Sequence, residues 1–408
     1  MFDSQKVRAD FPFLKKKTSK GKTLAYLDNA ATTQKPSQVL NAIQEYYEEK
    51  NANPHRGIYE LSEKSTEEYE SARAAAAGFI GAESGEIIFV KNATEGMNLI
   101  ANSLASAFLK PGDRVLISVM EHHANIVPWL LLKQRMGIEI DYIELARNGT
   151  LEENWEKRIT PKTKIVSVTH ASNVLGTIND VRDICATAKE KGCYTIIDGA
   201  QAVPHLQADV GKIGCDFYAF SGHKMLAPMG IGVAYGRGEL LKKMQPFLGG
   251  GDMIRRVERQ GAEWNDVPWK FEAGTPNVEG AVGLKAAIEY LQKLGLDSIK
   301  KHEEKLTRTT LDALNECEHV RILGPVNEKG KVGTVAFTHD KIHPHDLASV
   351  MNEHSVAMRS GHHCAMPLHQ TLGMAASSRV SFYVYNTAEE IERFEEALED
   401  AERIFRIK

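Results

Sequence analysis

Cysteine is scarce in this chain, and the five present (Cys185, Cys193, Cys215, Cys317 and Cys364) form no CxxC pair. An odd set without paired spacing argues against a disulfide framework and a zinc ribbon, and it fits a reducing cytosol. Long apolar runs are also missing. Ile126 to Leu132 is among the longest and contains Pro128, well short of the roughly 18 residues expected of a membrane span. The opening Met1-Phe2-Asp3-Ser4-Gln5-Lys6 lacks the apolar core of a secretory signal. Neither sign of charge dominates: 50 basic and 54 acidic residues leave a formal net charge of -4, so nothing points to nucleic acid as a partner. No GxGxxG follows the first strands, and Gly249-Gly250-Gly251 precedes no Lys-Ser/Thr pair, which sets aside dinucleotide and P-loop binding. No internal repeat is visible. The expectation is a cytoplasmic protein without membrane contact, long enough at 408 residues for two or three units.

What is there is a regular alternation. Glu86–Val90, Val115–Val119, Glu139–Ile143, Lys164–Thr169, Tyr194–Ile197, Phe217–Phe220 and Ile231–Tyr235 read as strands. Most are continuous apolar runs, so both sheet faces should be covered by helices. Helical spacing near 36–51, 66–80, 93–108, 125–136 and 180–191 makes this an α/β layer with a mostly parallel sheet. Long helices near 279–294 and 297–316 lead to a second, α+β unit. Its strands are expected near 333–338, 355–359 and 379–384, and its helices near 345–354 and 388–406.

Ligands of open parallel sheets sit at the carboxyl ends of the strands, so polar residues should gather there. They do. Val90 is followed closely by Ala93-Thr94, Val119 by Glu121-His122-His123-Ala124-Asn125, and Thr169 by His170-Ala171-Ser172-Asn173. Ile197 leads into Asp198-Gly199-Ala200-Gln201, and Phe220 into Ser221-Gly222-His223-Lys224.

Each group has a use and a plain alternative. Lys224, delivered just past a strand, is a usable amine nucleophile if burial lowers its pKa, or else an exposed loop lysine. A helix start at Ala93-Thr94 suits a terminal phosphate, with Ser221 and His223 as further donors, although Thr94 could simply be a cap. An aromatic cofactor would want a flat partner such as His122, a carboxylate such as Asp198 on a pyridinium nitrogen, and a donor such as Gln201 on a phenolate oxygen. Otherwise His122 is a core histidine and Asp198 a helix cap. In the second unit, Arg359 and Arg379 could each clasp a substrate carboxylate. Cys364 stands in a Gly/Pro-bounded loop where a thiolate can act as nucleophile, or it is a structural cysteine. No metal site is expected at His362-His363-Cys364, because neighbours in an extended segment point opposite ways.

Nearly the whole chain, from Leu27-Asp28-Asn29-Ala30-Ala31 to Tyr385-Asn386-Thr387, resembles fold-type I pyridoxal-phosphate enzymes of the class V aminotransferase group. More closely it is similar to the SUF-type (group II) cysteine desulfurases, which also act as selenocysteine lyases. The resemblance rests on His55-Arg56-Gly57, Thr94-Glu95-Gly96, Glu121-His122-His123-Ala124-Asn125, Ser172-Asn173-Val174-Leu175-Gly176 and Asp198-Gly199-Ala200-Gln201. Ser221-Gly222-His223-Lys224, Gly274-Thr275-Pro276-Asn277 and the short loop Arg359-Ser360-Gly361-His362-His363-Cys364-Ala365 complete it.

The resemblance implies a large cofactor-binding α/β domain over 21–290 with a seven-stranded sheet. It also implies an N-terminal arm (1–20) belonging to the small domain, and a small α+β domain over 291–408. It implies pyridoxal 5'-phosphate joined to Lys224, with His122 on the ring, Asp198 on its nitrogen and Gln201 on its oxygen. Thr94, Ser221 and His223 would hold the phosphate, with Thr275 reaching across from the other subunit of a homodimer. Asn173, Arg359 and Arg379 would position the amino acid, with Arg56 close by. Relatives often carry a hydroxyl residue at Ala93; the expectation is that its backbone N–H remains available. Cys364 would take the sulfur of L-cysteine, or selenium of L-selenocysteine, for an acceptor protein of iron–sulfur assembly. His343-Pro344-His345-Asp346 resembles relatives that pass sulfur to a zinc-bearing, scaffold-like partner; the alternative is a helix-capping loop. Rival readings are a selenocysteine lyase, a kynureninase-like class V lyase, and a fold that kept its shape but lost catalysis.

Overall fold

The computed structural model describes residues 2–407. A seven-stranded sheet runs in the order Ile87–Val90, Gly232–Gly236, Phe217–Ser221, Tyr194–Asp198, Thr163–Thr169, Arg114–Ser118, Glu139–Ile143. Gly232–Gly236 is antiparallel to both of its neighbours and every other adjacent pair is parallel. The apolar runs explain the layering. Alternate side chains of one strand leave on opposite faces, so Phe89, Val166, Ile197, Tyr218 and Phe220 enter one core. Ile88, Ile165, Ile196, Phe217 and Ala219 enter the other. Helices Glu60–Ile80, Val181–Glu190 and Val278–Leu294 cover the first face; Ala93–Phe108 and Val127–Met136 cover the second.

A four-stranded antiparallel sheet forms the second layer system, ordered Val320–Leu323, Thr334–His339, Ser377–Ser381, Arg359–Gly361. Its core is shared with helices Leu296–Glu316, Pro344–Glu353 and Ala388–Ile404.

Local reading and structure part in a few places. Ala25–Tyr26 pairs in parallel with Val356–Ala357, so this early segment joins the C-terminal unit. The N-terminal arm, expected there, touches both units: Val7, Phe11 and Leu14 sink into the core of the large sheet, while Phe2 stacks on His302, Arg8 reaches Glu390 at 2.9 Å and the Thr18 hydroxyl meets that of Ser355 at 2.9 Å. The division expected at 290/291 falls inside Val278–Leu294, whose Leu291 is still buried in that core; the break comes at Gly295. The exposed hairpin Ile254–Glu258/Gly261–Trp264 carries no strong apolar pattern and was not anticipated; nor was the four-residue strand Val320–Leu323, which is mostly apolar but short.

Candidate active site

The carboxyl ends of the parallel strands, together with the loop from Arg359 to Cys364, enclose a cavity of about 330 Å3. Its walls include Thr94, His122, Asn173, Asp198, Gln201 and Lys224, and Ser221, His223, Arg359, Cys364 and Arg379 also line it. Five strand ends meet there because the strands share one direction.

Lys224 closes the short turn Gly222–Lys224 after Phe217–Ser221. Burial disfavours its ammonium form and lowers the pKa to about 8; Arg379 pushes the same way, while Asp198 and Cys364 pull back. The turn is fastened from below. The His223 carbonyl accepts from the Thr33 N–H at 3.0 Å and from Lys35 Nζ at 3.0 Å, and burial holds the Lys35 amine down to about 7. Neither Thr33 nor Lys35 was singled out from sequence.

At the start of Ala93–Phe108, Asn92 caps the helix by accepting from the Glu95 N–H at 3.0 Å. The Ala93 N–H, expected to be available, is not: it donates to Ser221 Oγ at 2.8 Å. The strand bearing Ser221 ends directly beside the helix start, which brings the two together. The exposed Thr94 keeps its N–H and hydroxyl without partners among the described residues. His223 Nδ1 is buried and has no partner among the described residues.

Asp198 is buried, with Oδ1 accepting from the Ala200 N–H at 2.9 Å, and burial raises its pKa. The adjacent Gly199 is obligatory, because a Cβ there would come within 1.9 Å of the Tyr218 ring. Gln201 Nε2 donates to the Ala30 carbonyl at 2.7 Å, leaving Oε1 buried without a partner among the described residues. His122 Nδ1 accepts from the Ala124 N–H at 3.1 Å, and burial lowers the ring pKa to about 3, so its face is neutral. The bend carrying His122 is set by buried Glu121, which accepts from Ser118, from Asn125 Nδ2 at 2.7 Å and from the Thr169 N–H at 2.9 Å.

The opposite wall is the Cys364 loop. His363 and Cys364 are consecutive left-handed residues, with φ of 51° and 56°, a costly arrangement for side chains with a Cβ. Both carbonyls are clamped. Asn173 Nδ2 donates to the His363 carbonyl at 2.7 Å, and the His123 N–H donates to the Cys364 carbonyl at 2.7 Å. Asn173, expected at the substrate, lines the cavity and also gives one amide donor to the loop. Cys364 is exposed, whereas Cys185, Cys193 and Cys215 are buried.

Beneath the loop, the hydrogen bonds fix a set of tautomers. His369 Nδ1 lies 3.0 Å from the Ala365 carbonyl, which only accepts, so Nδ1 carries the proton. Ser377 must then donate to His369 Nε2 at 2.9 Å and accept from His363 Nε2 at 3.0 Å. This leaves His363 Nδ1 unprotonated, buried and without a partner among the described residues. Burial and the nearby Arg379 lower the His363 pKa to about 2.

Arg379 is buried and Arg359 exposed, and both hold Asp28, at 2.9 Å each. Thr275 and Arg56 are not brought into this cavity within one chain. Thr275 is exposed, and Arg56 lines a neighbouring cleft where it pairs with Asp252 at 2.9 Å. Asp28, Glu121 and Ser377 were missed as working groups; their only sequence signal was adjacency to strands bearing other candidates.

Residues 25–394 match the family model described as aminotransferase class-V. The chain is 46% identical to a protein of Halobacterium salinarum named probable cysteine desulfurase, over 99% of this chain and 97% of that one. It is 45% identical to a cysteine desulfurase of Haloferax volcanii, over 99% and 98%. Among solved structures, a cysteine desulfurase of Thermococcus onnurineus superposes with a TM-score of 0.93 at 40% identity, covering 98% of each chain. One from Escherichia coli gives 0.91 at 35% identity, covering 99% of each.

Proposed function

The chain belongs to the aminotransferase class-V family, and on that footing we propose that it is a cysteine desulfurase, which takes the sulfur of L-cysteine, releases L-alanine and hands the sulfur to an acceptor. The carrying observation is one shared cavity, lined by the weakly basic amine of Lys224 and the exposed thiol of Cys364.

The cofactor is pyridoxal 5'-phosphate, and the residues present suit it. Among the described residues, buried His223 Nδ1 and Gln201 Oε1 lack partners, Asp198 keeps one carboxylate oxygen free of hydrogen bonds, and Ala30, Ala31 and Ala93 leave room along the wall. When bound, it supplies an aldehyde carbon that amines can join and a ring that draws electrons from the substrate's α-carbon. Thr94, Ser221 and His223 are assigned to its phosphate, His122 to its ring face, Asp198 to its ring nitrogen and Gln201 to its ring oxygen. Ser221 keeps its hydroxyl proton for this, since Oγ only accepts from Ala93.

Lys224, neutral above about pH 8, takes the substrate's α-proton. Arg359 and Arg379 align the carboxylate, and Asn173 acts with them by holding the sulfur-receiving loop. The Cys364 thiolate attacks the substrate sulfur. An S–S bond forms as the Cβ–S bond breaks, and the electron pair left on Cβ takes a proton to give alanine.

Thr275 and Arg56, outside the cavity of their own chain, are assigned across a homodimer to the partner's site. The exposed His343 caps Pro344–Glu353, its Nδ1 accepting from the His345 N–H at 3.3 Å, which leaves Nε2 for the metal of a zinc-bearing, scaffold-like acceptor in iron–sulfur assembly. A division into a large cofactor domain and a small domain carrying Cys364, and a reducing cytoplasm that keeps five free thiols, complete this reading. The test is turnover of L-cysteine by the cofactor-loaded protein with and without candidate acceptors, following alanine and sulfide together. Alanine formation with a persulfide on the Cys364 peptide is expected. Absence of alanine from cofactor-loaded protein overturns the reading.

A further inference from the structure

Two guanidiniums line one end of the cavity, and a third charge lies between them. Asp28 Oδ2 accepts from Arg359 Nη2 at 2.9 Å and from its Nε at 3.0 Å, while Oδ1 accepts from Arg379 Nη2 at 2.9 Å. Asp28 has little freedom to leave. Its backbone bridges to Ser381, on the same strand as Arg379, and its carbonyl accepts from the Ala31 N–H at 3.1 Å. The Asn173 carbonyl takes Arg379 Nη1 at 3.0 Å. Arg379 Nε is then left fully buried without a partner among the described residues, in a residue only 2% exposed. An orphaned, charged donor at that depth marks a place for a ligand acceptor.

We propose that Asp28 is a specificity-determining residue of this site, a resident carboxylate that cancels one guanidinium charge and so matches the pocket to an amino acid bearing a single free carboxylate. The inference rests on the reading above that Arg359 and Arg379 face the substrate carboxylate. Two cations and one resident anion leave one positive charge for the ligand. A second carboxylate on the ligand meets no uncompensated partner and loses its own hydration, a net penalty in a partly desolvated cavity. The single Nη2–Oδ1 bond to Asp28 and the Nη1 bond to the Asn173 carbonyl together fix the plane of Arg379 and so aim its Nε donor.

The test compares inhibition of cysteine turnover by L-alanine, with one carboxylate, and by L-aspartate, with two, in cofactor-loaded enzyme. In Asp28→Asn, the inhibition constant for aspartate relative to that for alanine falls by roughly tenfold, because one positive charge is released at nearly constant shape. In Arg359→Gln the ratio moves the other way, and the double variant returns it toward the starting value. A purely structural role for Asp28 weakens both inhibitors by one common factor, and that result overturns the proposal. If Asp28→Asn does not fold, Arg359→Gln decides alone: an unchanged ratio, or one shifted toward aspartate, overturns it. Failure of alanine to compete in the unaltered enzyme overturns the reading of the site, and this inference with it.

Discussion

The side-chain amide of Asn173 donates to the backbone carbonyl of His363 at 2.7 Å, tying a strand-end loop of the large sheet to the residue before Cys364. The tie bears on a strained segment, since His363 and Cys364 are both left-handed. Asn173→Ala is therefore expected to slow persulfide formation by about tenfold to a hundredfold, the usual result of a small misplacement of a reacting group. The visible spectrum of bound cofactor should hardly change. Single-turnover trapping of persulfide, beside a cofactor absorbance scan, checks both halves; equal losses in the two would contradict a loop-positioning role.

Cys364→Ala removes the exposed thiol and leaves the four other cysteines. Cofactor absorbance is expected to persist while protein-bound persulfide disappears. Mass spectrometry of the cysteine-treated variant decides, and full persulfide on another cysteine would sink the assignment.

Lys224 gives the pH dependence. Its pKa lies at about 8 rather than near 10.5, so the neutral amine that an aldehyde requires accumulates as pH rises through 8. Capture of pyridoxal phosphate by cofactor-free protein should accelerate with pH, with a midpoint near 8. Asp198 favours the ammonium form, so Asp198→Asn should move that midpoint to lower pH. Stopped-flow absorbance across pH 6 to 10 measures it; a midpoint above 10 would mean that Lys224 is not desolvated.

Ser377→Ala cuts the link between His363 and His369 and strips a partner from each buried ring. The expected cost is about 1–3 kcal/mol of stability, read from denaturant midpoints. A shift of imidazole 15N signals is also expected, as His363 loses the bond that fixes its Nε2 proton. Unchanged histidine signals would rule out the assigned tautomers.

Much of this was present in the chain as a linear pattern. Apolar runs of four to seven residues, each followed by polar ones, were sufficient to call for a covered, mostly parallel sheet with a site at its carboxyl edge, because side-chain alternation and strand direction are local properties. Lys224, Asp198, His122 and Cys364 stood out for the same reason: each lies within four residues of the end of an apolar segment or inside a Gly-bounded loop. Partner choice did not follow from such patterns. Asp28 and Arg379 are 351 positions apart and still meet at 2.9 Å; Asn173 turned to a loop 190 positions away; and the Ala93 N–H was taken by Ser221, 128 positions on. A hydrogen bond is decided by approach within an ångström. Only the packing of two sheets, not the order of residues, determines which donor meets which acceptor.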